Sequence, residues 1–181
     1  MNVLIGEKNN FNKGEFHKLS SSYTYTGKKI KPQVSVYIGN KKISTDSYSL
    51  SFKNNKKIGT ATITAKGKGK YAGKKFSETF KIVPKFNSKI TVKKVKGKKH
   101  TYIISWKEYK GVGKVVKYYA KEYDTSFNPN YNSEISYEST KQNKYASEFD
   151  EGKYLVKIRA KVGYKGKIYY TKYIAKSFKA S

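Results

Sequence analysis

The chain of 181 residues contains no cysteine. That excludes a disulfide framework, a thiolate nucleophile and a cysteine-based zinc site. Two histidines without cysteine give a transition metal little to hold. Acids are scarce: twelve Asp and Glu stand against forty Lys and Arg, a formal net charge of +28. Arginine is scarcer still, because Arg159 is the only one. Proteins that read phosphates or base edges individually favour Arg, whose planar fork binds bidentately, whereas Lys is a hydrated point charge. The balance points to diffuse attraction to polyanions and away from specific nucleic-acid recognition. No apolar run nears the roughly 18 residues that a membrane helix needs, so no membrane span is expected. The opening apolar run, Val3-Leu4-Ile5, falls short of the roughly 7–15 apolar residues of a signal peptide.

Tyrosine is abundant, with 18 residues beside 9 Phe, and aromatics reach 15% of the chain. That is enough to fill a core although hydrophobics total only 36%. The dominant period is two. Val34, Val36 and Ile38 alternate with polar or outward positions, as do Tyr48, Leu50 and Phe52, and Ala61, Ile63 and Ala65. Tyr102, Ile104 and Trp106 follow the same rule, and Tyr154, Val156, Ile158 and Ala160 alternate with Leu155, Lys157, Arg159 and Lys161. Each is a strand with one buried face. Breaks rich in Gly, Asn or Lys recur about every 8–12 residues, which predicts an all-β, antiparallel sandwich or barrel architecture. The chain divides into an N-terminal segment, 1–22, and two units, 23–84 and 85–181. The joint, Pro84-Lys85-Phe86-Asn87-Ser88, is short and predicts a stiff tandem.

Residues in the first unit carry a resemblance. Tyr25-Thr26-Gly27-Lys28, Ile30-Lys31-Pro32, Tyr48 to Asn55, Ile58 to Thr64, Gly67-Lys68-Gly69-Lys70-Tyr71-Ala72-Gly73 and Phe80-Lys81-Ile82 follow one another in order. The series resembles a bacterial Ig-like surface repeat of the form Y-x-G-x-x-[IV]-x-P, then N-N, then G-T-A, then G-x-G-x-Y-x-G. One difference is that Ser47 separates Asp46 from Tyr48, where the motif joins them. The pattern suits turns at Asn54-Asn55 and around Tyr71. The second unit is similar to fibronectin type III modules. Ile104-Ser105-Trp106-Lys107 resembles the B strand, Val115 to Tyr119 the C strand, Gly152 to Ala160 the F strand and Gly163 to Tyr170 the F–G hairpin. On that resemblance Tyr154 is the tyrosine-corner residue. The fold class implied is all-β, with two tandem immunoglobulin-like and fibronectin type III-like antiparallel β-sandwich modules. Such modules imply a secreted or cell-surface bacterial polypeptide with further domains, of which this chain is a fragment or an internal start. They carry no catalytic residues and no cofactor.

Candidate chemistry is thin. Gly67-x-Gly69-x-x-x-Gly73 lacks a phosphate-loop spacing and a following helix. His17 and His100 are read without a carboxylate beside them in the chain, so no catalytic base is expected. Asp124, Glu134 and Glu138, or Glu148, Asp150 and Glu151, lack a calcium-loop spacing. An isopeptide crosslink needs a buried acid that the sequence does not identify. Tyr118, Tyr119, Tyr123, Tyr131, Tyr137, Tyr164, Tyr169, Tyr170 and Tyr173 stand among lysines and suit a stacking platform, roughly half of them on the core face.

The reading is a non-enzymatic structural and adhesive module that binds anionic cell-wall or host polymers by lysine charge. The stretch from Lys85 to Lys99 holds seven lysines and no acid: Lys85, Lys89, Lys93, Lys94, Lys96, Lys98 and Lys99. These are the expected polyanion-binding residues. No catalytic or metal residues and no cofactor are expected. The alternatives are a nonspecific nucleic-acid-binding protein and an accessory carbohydrate-binding module of a secreted enzyme.

Overall fold

Alternation becomes pleated strand wherever it was strongest. The computed structural model describes residues 10–126 and 133–181, with the backbone alone described over 133–140. It divides into two compact units, Met1–Val83 and Pro84–Ser181.

The first unit holds β1 (Glu15–His17), β2 (Ser22–Thr24), β3 (Ser35–Ile38), β4 (Lys41–Lys42), β5 (Tyr48–Lys53), β6 (Gly59–Gly67) and β7 (Lys75–Val83). One sheet has the order β1-β3-β4 and the other β2-β7-β6-β5. The strand pairs are antiparallel, except that β2 runs parallel to β7, with Tyr23 opposite Ile82. Ala61, Ile63 and Ala65 from β6 and Phe76, Phe80 and Ile82 from β7 form the core with Val36, Tyr48 and Tyr71. Phe11 and Phe16 are buried in the same core, so this unit reaches back before Tyr23. Asn54 takes the left-handed conformation of the β5–β6 turn (φ 58°). The buried Asn55 donates from Nδ2 to the Ile30 carbonyl at 2.8 Å and so fastens the segment before β3. Tyr71 is buried against Phe11, their ring centroids 5.1 Å apart. A Cβ at Gly67 would collide with the Tyr71 carbonyl oxygen, which is why that position is glycine.

The second unit holds β8 (Ile90–Lys94), β9 (Thr101–Trp106), β10 (Lys114–Asp124), β11 (Ser133–Thr140), β12 (Lys144–Glu148), β13 (Gly152–Tyr164), β14 (Lys167–Tyr170) and β15 (Ile174–Ala180). A three-stranded sheet, β12-β9-β8, stands with a five-stranded sheet, β11-β10-β13-β14, in which β15 also pairs with β13. The fold is thus all-β, with immunoglobulin-like and fibronectin-like sandwich topology. β13 carries two partners on one edge. β15 covers Gly152 to Ile158 and β14 covers Lys161 to Tyr164. Thr171 bridges the break: its N–H donates to the Ala160 carbonyl, and its hydroxyl accepts from the Ala160 N–H, both at 3.0 Å. Trp106 and Tyr154 lie in the core with Tyr102, Ile104, Val156, Ile158 and Ala160.

Tyr154 departs from the corner motif. Its ring packs 4.7 Å from Phe149 and 5.8 Å from Phe178, and its hydroxyl has no backbone acceptor among the described residues. Aromatic packing takes the place of the expected hydrogen bond.

Candidate functional site

β13 is the central strand of the five-stranded sheet. Its inward residues, Tyr154, Val156, Ile158, Ala160 and Val162, are buried. Strand geometry sends Lys153, Leu155, Lys157, Arg159 and Lys161 to the other face. Four of these five are cations. Register then sets lysine against lysine. Lys117 and Lys121 of β10 stand opposite Lys161 and Lys157, and Lys179 of β15 stands opposite Lys153. Like charges placed directly opposite destabilise a sheet. No carboxylate occupies an outward position of β10, β13, β14 or β15 among the described residues. In the backbone register Glu134 of β11 stands opposite Tyr123.

Tyrosine rings hold this layer. The Arg159 guanidinium carbon lies 4.5 Å from the Tyr170 ring centroid, 4.8 Å from that of Tyr173 and 5.8 Å from that of Tyr119. Lys157 Nζ sits 4.6 Å from the Tyr123 ring and Lys117 Nζ 5.1 Å from the Tyr119 ring. Each such contact contributes about 0.5–1 kcal/mol at an exposed site, and it fixes the cation's direction. Arg159 Nε is buried with no acceptor among the described residues. Tyr119 and Tyr170 lie with centroids 5.8 Å apart and share a hydrogen bond between their side chains. Partial desolvation pushes the Tyr119 phenol up. The hydrogen bond with Tyr170 and the ammonium groups of Lys117 and Lys161 outweigh it and hold the phenol below its ordinary value. Tyr170 moves the opposite way, chiefly through the same hydrogen bond.

Of the expected platform tyrosines, Tyr119, Tyr123, Tyr170 and Tyr173 meet here. Tyr118 does not. A bulge between Val115 and Lys117 shifts the register and turns Tyr118 into the core, where its hydroxyl accepts from the Tyr109 N–H at 2.8 Å. Tyr164 and Tyr169 form a separate pair, centroids 6.4 Å apart, at the β13–β14 hairpin. Tyr131 and Tyr137 lie outside the described side chains.

The seven lysines from Lys85 to Lys99 are all exposed, but β8 divides them. Lys85 and Lys89 precede the strand, near Lys107, whose N–H donates to Ser88 Oγ at 2.9 Å. Lys93 lies on the strand opposite Ile103, and Lys94 Nζ donates to the Ser181 carbonyl oxygen. Lys96, Lys98 and Lys99 lie in the turn at the far end, about 16 Å along β8. Beside that turn, Asp150 Oδ1 lies 3.4 Å from His100 Nδ1, and Glu148 stands opposite Thr101. The stretch is acid-free in sequence and bordered by acids in space.

The acids scatter. Glu122 is buried in the core of the second unit, Asp124 accepts from the Ser126 N–H at 2.8 Å, and Glu151 is exposed. No group of three or more metal-ligating side chains converges among the described residues. Glu122 is the buried acid that the sequence left unidentified. Its hydrogen-bond donors are Tyr145 and Ser147, not a lysine and an asparagine, so the described geometry does not assemble an isopeptide site. His17 corrects an expectation: Glu15 stands two residues before it, on the same face of β1, with Oε1 2.7 Å from His17 Nε2. His17 also stacks on Tyr37 at 3.9 Å. The pair is exposed.

No protein-family model matches the chain, and no curated protein matches it. Among solved structures it is similar to one described as "Structure of FN3tt mut", at 20% identity over 54% of this chain and 97% of that one, with a TM-score of 0.36. It is also similar to domains A168-A170 from titin, at 12% identity over 92% of this chain and 66% of that one, with a TM-score of 0.39. No helix among the described residues is long and apolar enough to cross a membrane.

Proposed function

We propose that this protein is a non-catalytic structural and adhesive module of a bacterial secreted or cell-surface polypeptide, and that it binds anionic polymers by lysine charge. One observation carries the binding: three lysine pairs stand directly opposite one another on a single sheet face, Lys117 with Lys161, Lys121 with Lys157 and Lys153 with Lys179. A bare sheet gains nothing from such pairs. A polyanion laid across them neutralises both members and releases its counterions. The surface role rests on the resemblance of both units to modules of bacterial surface proteins.

The test is retention of the whole chain on immobilised heparin under a salt gradient. The expected result is tight retention at low salt that is lost steeply as salt rises. Lys153→Ser with Lys161→Ser elutes earlier, while Lys96→Ser with Lys98→Ser shifts elution less. Retention on a neutral glycan that persists in high salt would replace this reading with a carbohydrate-binding one. No retention on any polyanion would overturn it.

A further inference from the structure

The geometry points to an extended phosphodiester polymer as the ligand of the β13 face, with Arg159 as the residue that grips it. This rests on the polyanion reading above and names the ligand's chemistry. Three features support it.

The first is spacing. Lys157, Arg159 and Lys161 are successive outward residues of one strand, so their Cα atoms step by about 6.6 Å. Three covalent bonds of an extended chain span about 3.6 Å. A phosphodiester backbone, whether of a nucleic acid or of a glycerol-phosphate polymer, repeats every six bonds. Its phosphates therefore recur about every 7 Å when extended. Phosphates laid along β13 meet one cation each. The row from Lys153 to Lys161 runs about 26 Å, and only Leu155 interrupts the charge.

The second is preorganisation. A free surface lysine samples many rotamers and loses that freedom on binding. Here Lys157 is drawn to the Tyr123 ring, and Arg159 is wedged among Tyr119, Tyr170 and Tyr173. The rings do part of the ordering before any ligand arrives.

The third is the choice of residue. The sole arginine of the chain stands mid-row, where a planar fork can donate two parallel hydrogen bonds to the paired non-bridging oxygens of a phosphate. Arg159 Nε is buried without an acceptor among the described residues, so the outer guanidinium nitrogens are the ones left to do this.

The test compares four probes on the intact chain: a short oligothymidylate, its abasic counterpart, a glycerol-phosphate polymer and hyaluronate, which carries one carboxylate per disaccharide. Heparin serves as the reference polyanion. The expected result is that all three phosphodiesters bind about tenfold or more tighter than hyaluronate at equal charge. Arg159→Lys keeps the charge and loses about tenfold on the phosphodiesters, but changes heparin retention little. For the oligothymidylate, log affinity falls with log salt at a slope near −3, about −0.7 for each of four cations, and Lys161→Gln lowers that slope by about 0.7. Tighter binding of the oligothymidylate than of its abasic counterpart assigns the site to nucleic acid. Equal binding of the two assigns it to polyol phosphate.

Hyaluronate binding as tight as the phosphodiesters, with Arg159→Lys unselective, overturns the phosphodiester assignment and leaves the polyanion reading standing. Loss of retention on every probe, heparin included, overturns the polyanion reading itself. If Arg159→Lys fails to fold, Lys157→Gln with Lys161→Gln replaces it. Both are half-exposed, outside the core, and the same salt slope reads the outcome.

Discussion

The Tyr145 hydroxyl donates to Glu122 Oε1 at 2.7 Å across the core of the second unit. Ser147 donates to the other oxygen at 2.9 Å. Glu122 belongs to β10 and its two donors to β12, so the carboxyl ties one sheet to the other. Burial pushes this carboxyl above the usual carboxylate range, and the two hydroxyls pull it only part of the way back.

A folded-state value raised above the unfolded one means that the native state holds the proton more tightly. The resulting stability is fully present below the ordinary carboxyl range and is lost as pH rises through the raised native value. Each unit of displacement is worth about 1.4 kcal/mol. Glu122→Gln keeps an acceptor for Tyr145 and removes the charge. It should be more stable than the parent at neutral pH and should flatten the pH dependence of chemical denaturation. Tyr145→Phe leaves a buried carboxyl short of a donor and should cost about 1.5–3 kcal/mol. Equal pH profiles for Glu122→Gln and the parent would show that the carboxyl is not strained.

Lys179 and Lys153 face each other, both exposed. Lys179→Glu turns a repulsive pair into an attractive one and should raise stability by about 0.2–1 kcal/mol. The same change should weaken heparin retention. Thermal denaturation and the salt gradient, run side by side, check both halves.

Trp106 is the only tryptophan, and it is buried in the second unit's core. Its fluorescence therefore reports that core alone. Phe80 lies in the separate core of the first unit. Phe80→Ala should cost the first unit about 3–5 kcal/mol. The far-UV transition should broaden or split while the Trp106 fluorescence midpoint stays in place.

Gly67 faces the Tyr71 carbonyl oxygen too closely for any Cβ. Gly67→Ala should destabilise the first unit by about 1–3 kcal/mol through overpacking. A stability equal to the parent's, measured by denaturant titration, would show that the turn around Tyr71 yields.

Tyr119 should ionise below the ordinary phenol range, because Tyr170 and Lys117 stabilise its phenolate. Tyr170→Phe should move that step to higher pH in a spectrophotometric titration. Tyr109 should ionise late. Burial, with the neighbouring Tyr118, pushes it up to about 12.

Strands were legible because period two needs only neighbouring residues. Val156, Ile158 and Ala160 alternate with Lys157, Arg159 and Lys161, and the buried set is the apolar one. The cationic layer of β13 was legible in the same lines, because Lys153, Lys157, Arg159 and Lys161 fall on the positions that alternate with the buried ones. The run from Lys85 to Lys99 is continuous along the chain, whereas a strand gathers charge at alternate positions. Which of Tyr118 and Tyr119 faces inward was not legible, because a bulge between Val115 and Lys117 shifts the register. Nothing local marks that bulge. The Glu15–His17 pair needed only the rule that residues two apart share a strand face.

That this chain is β, where its most regular strands alternate and that it is strongly cationic could all be read from residues close together in the chain. These follow from side-chain volume, polarity and alternation over a few residues. Long-range pairing is what sets Lys117 against Lys161, closes three rings around Arg159 and buries Glu122 beneath Tyr145. Those neighbours come from strands far apart in the chain, and their register is set by long-range pairing and by a bulge.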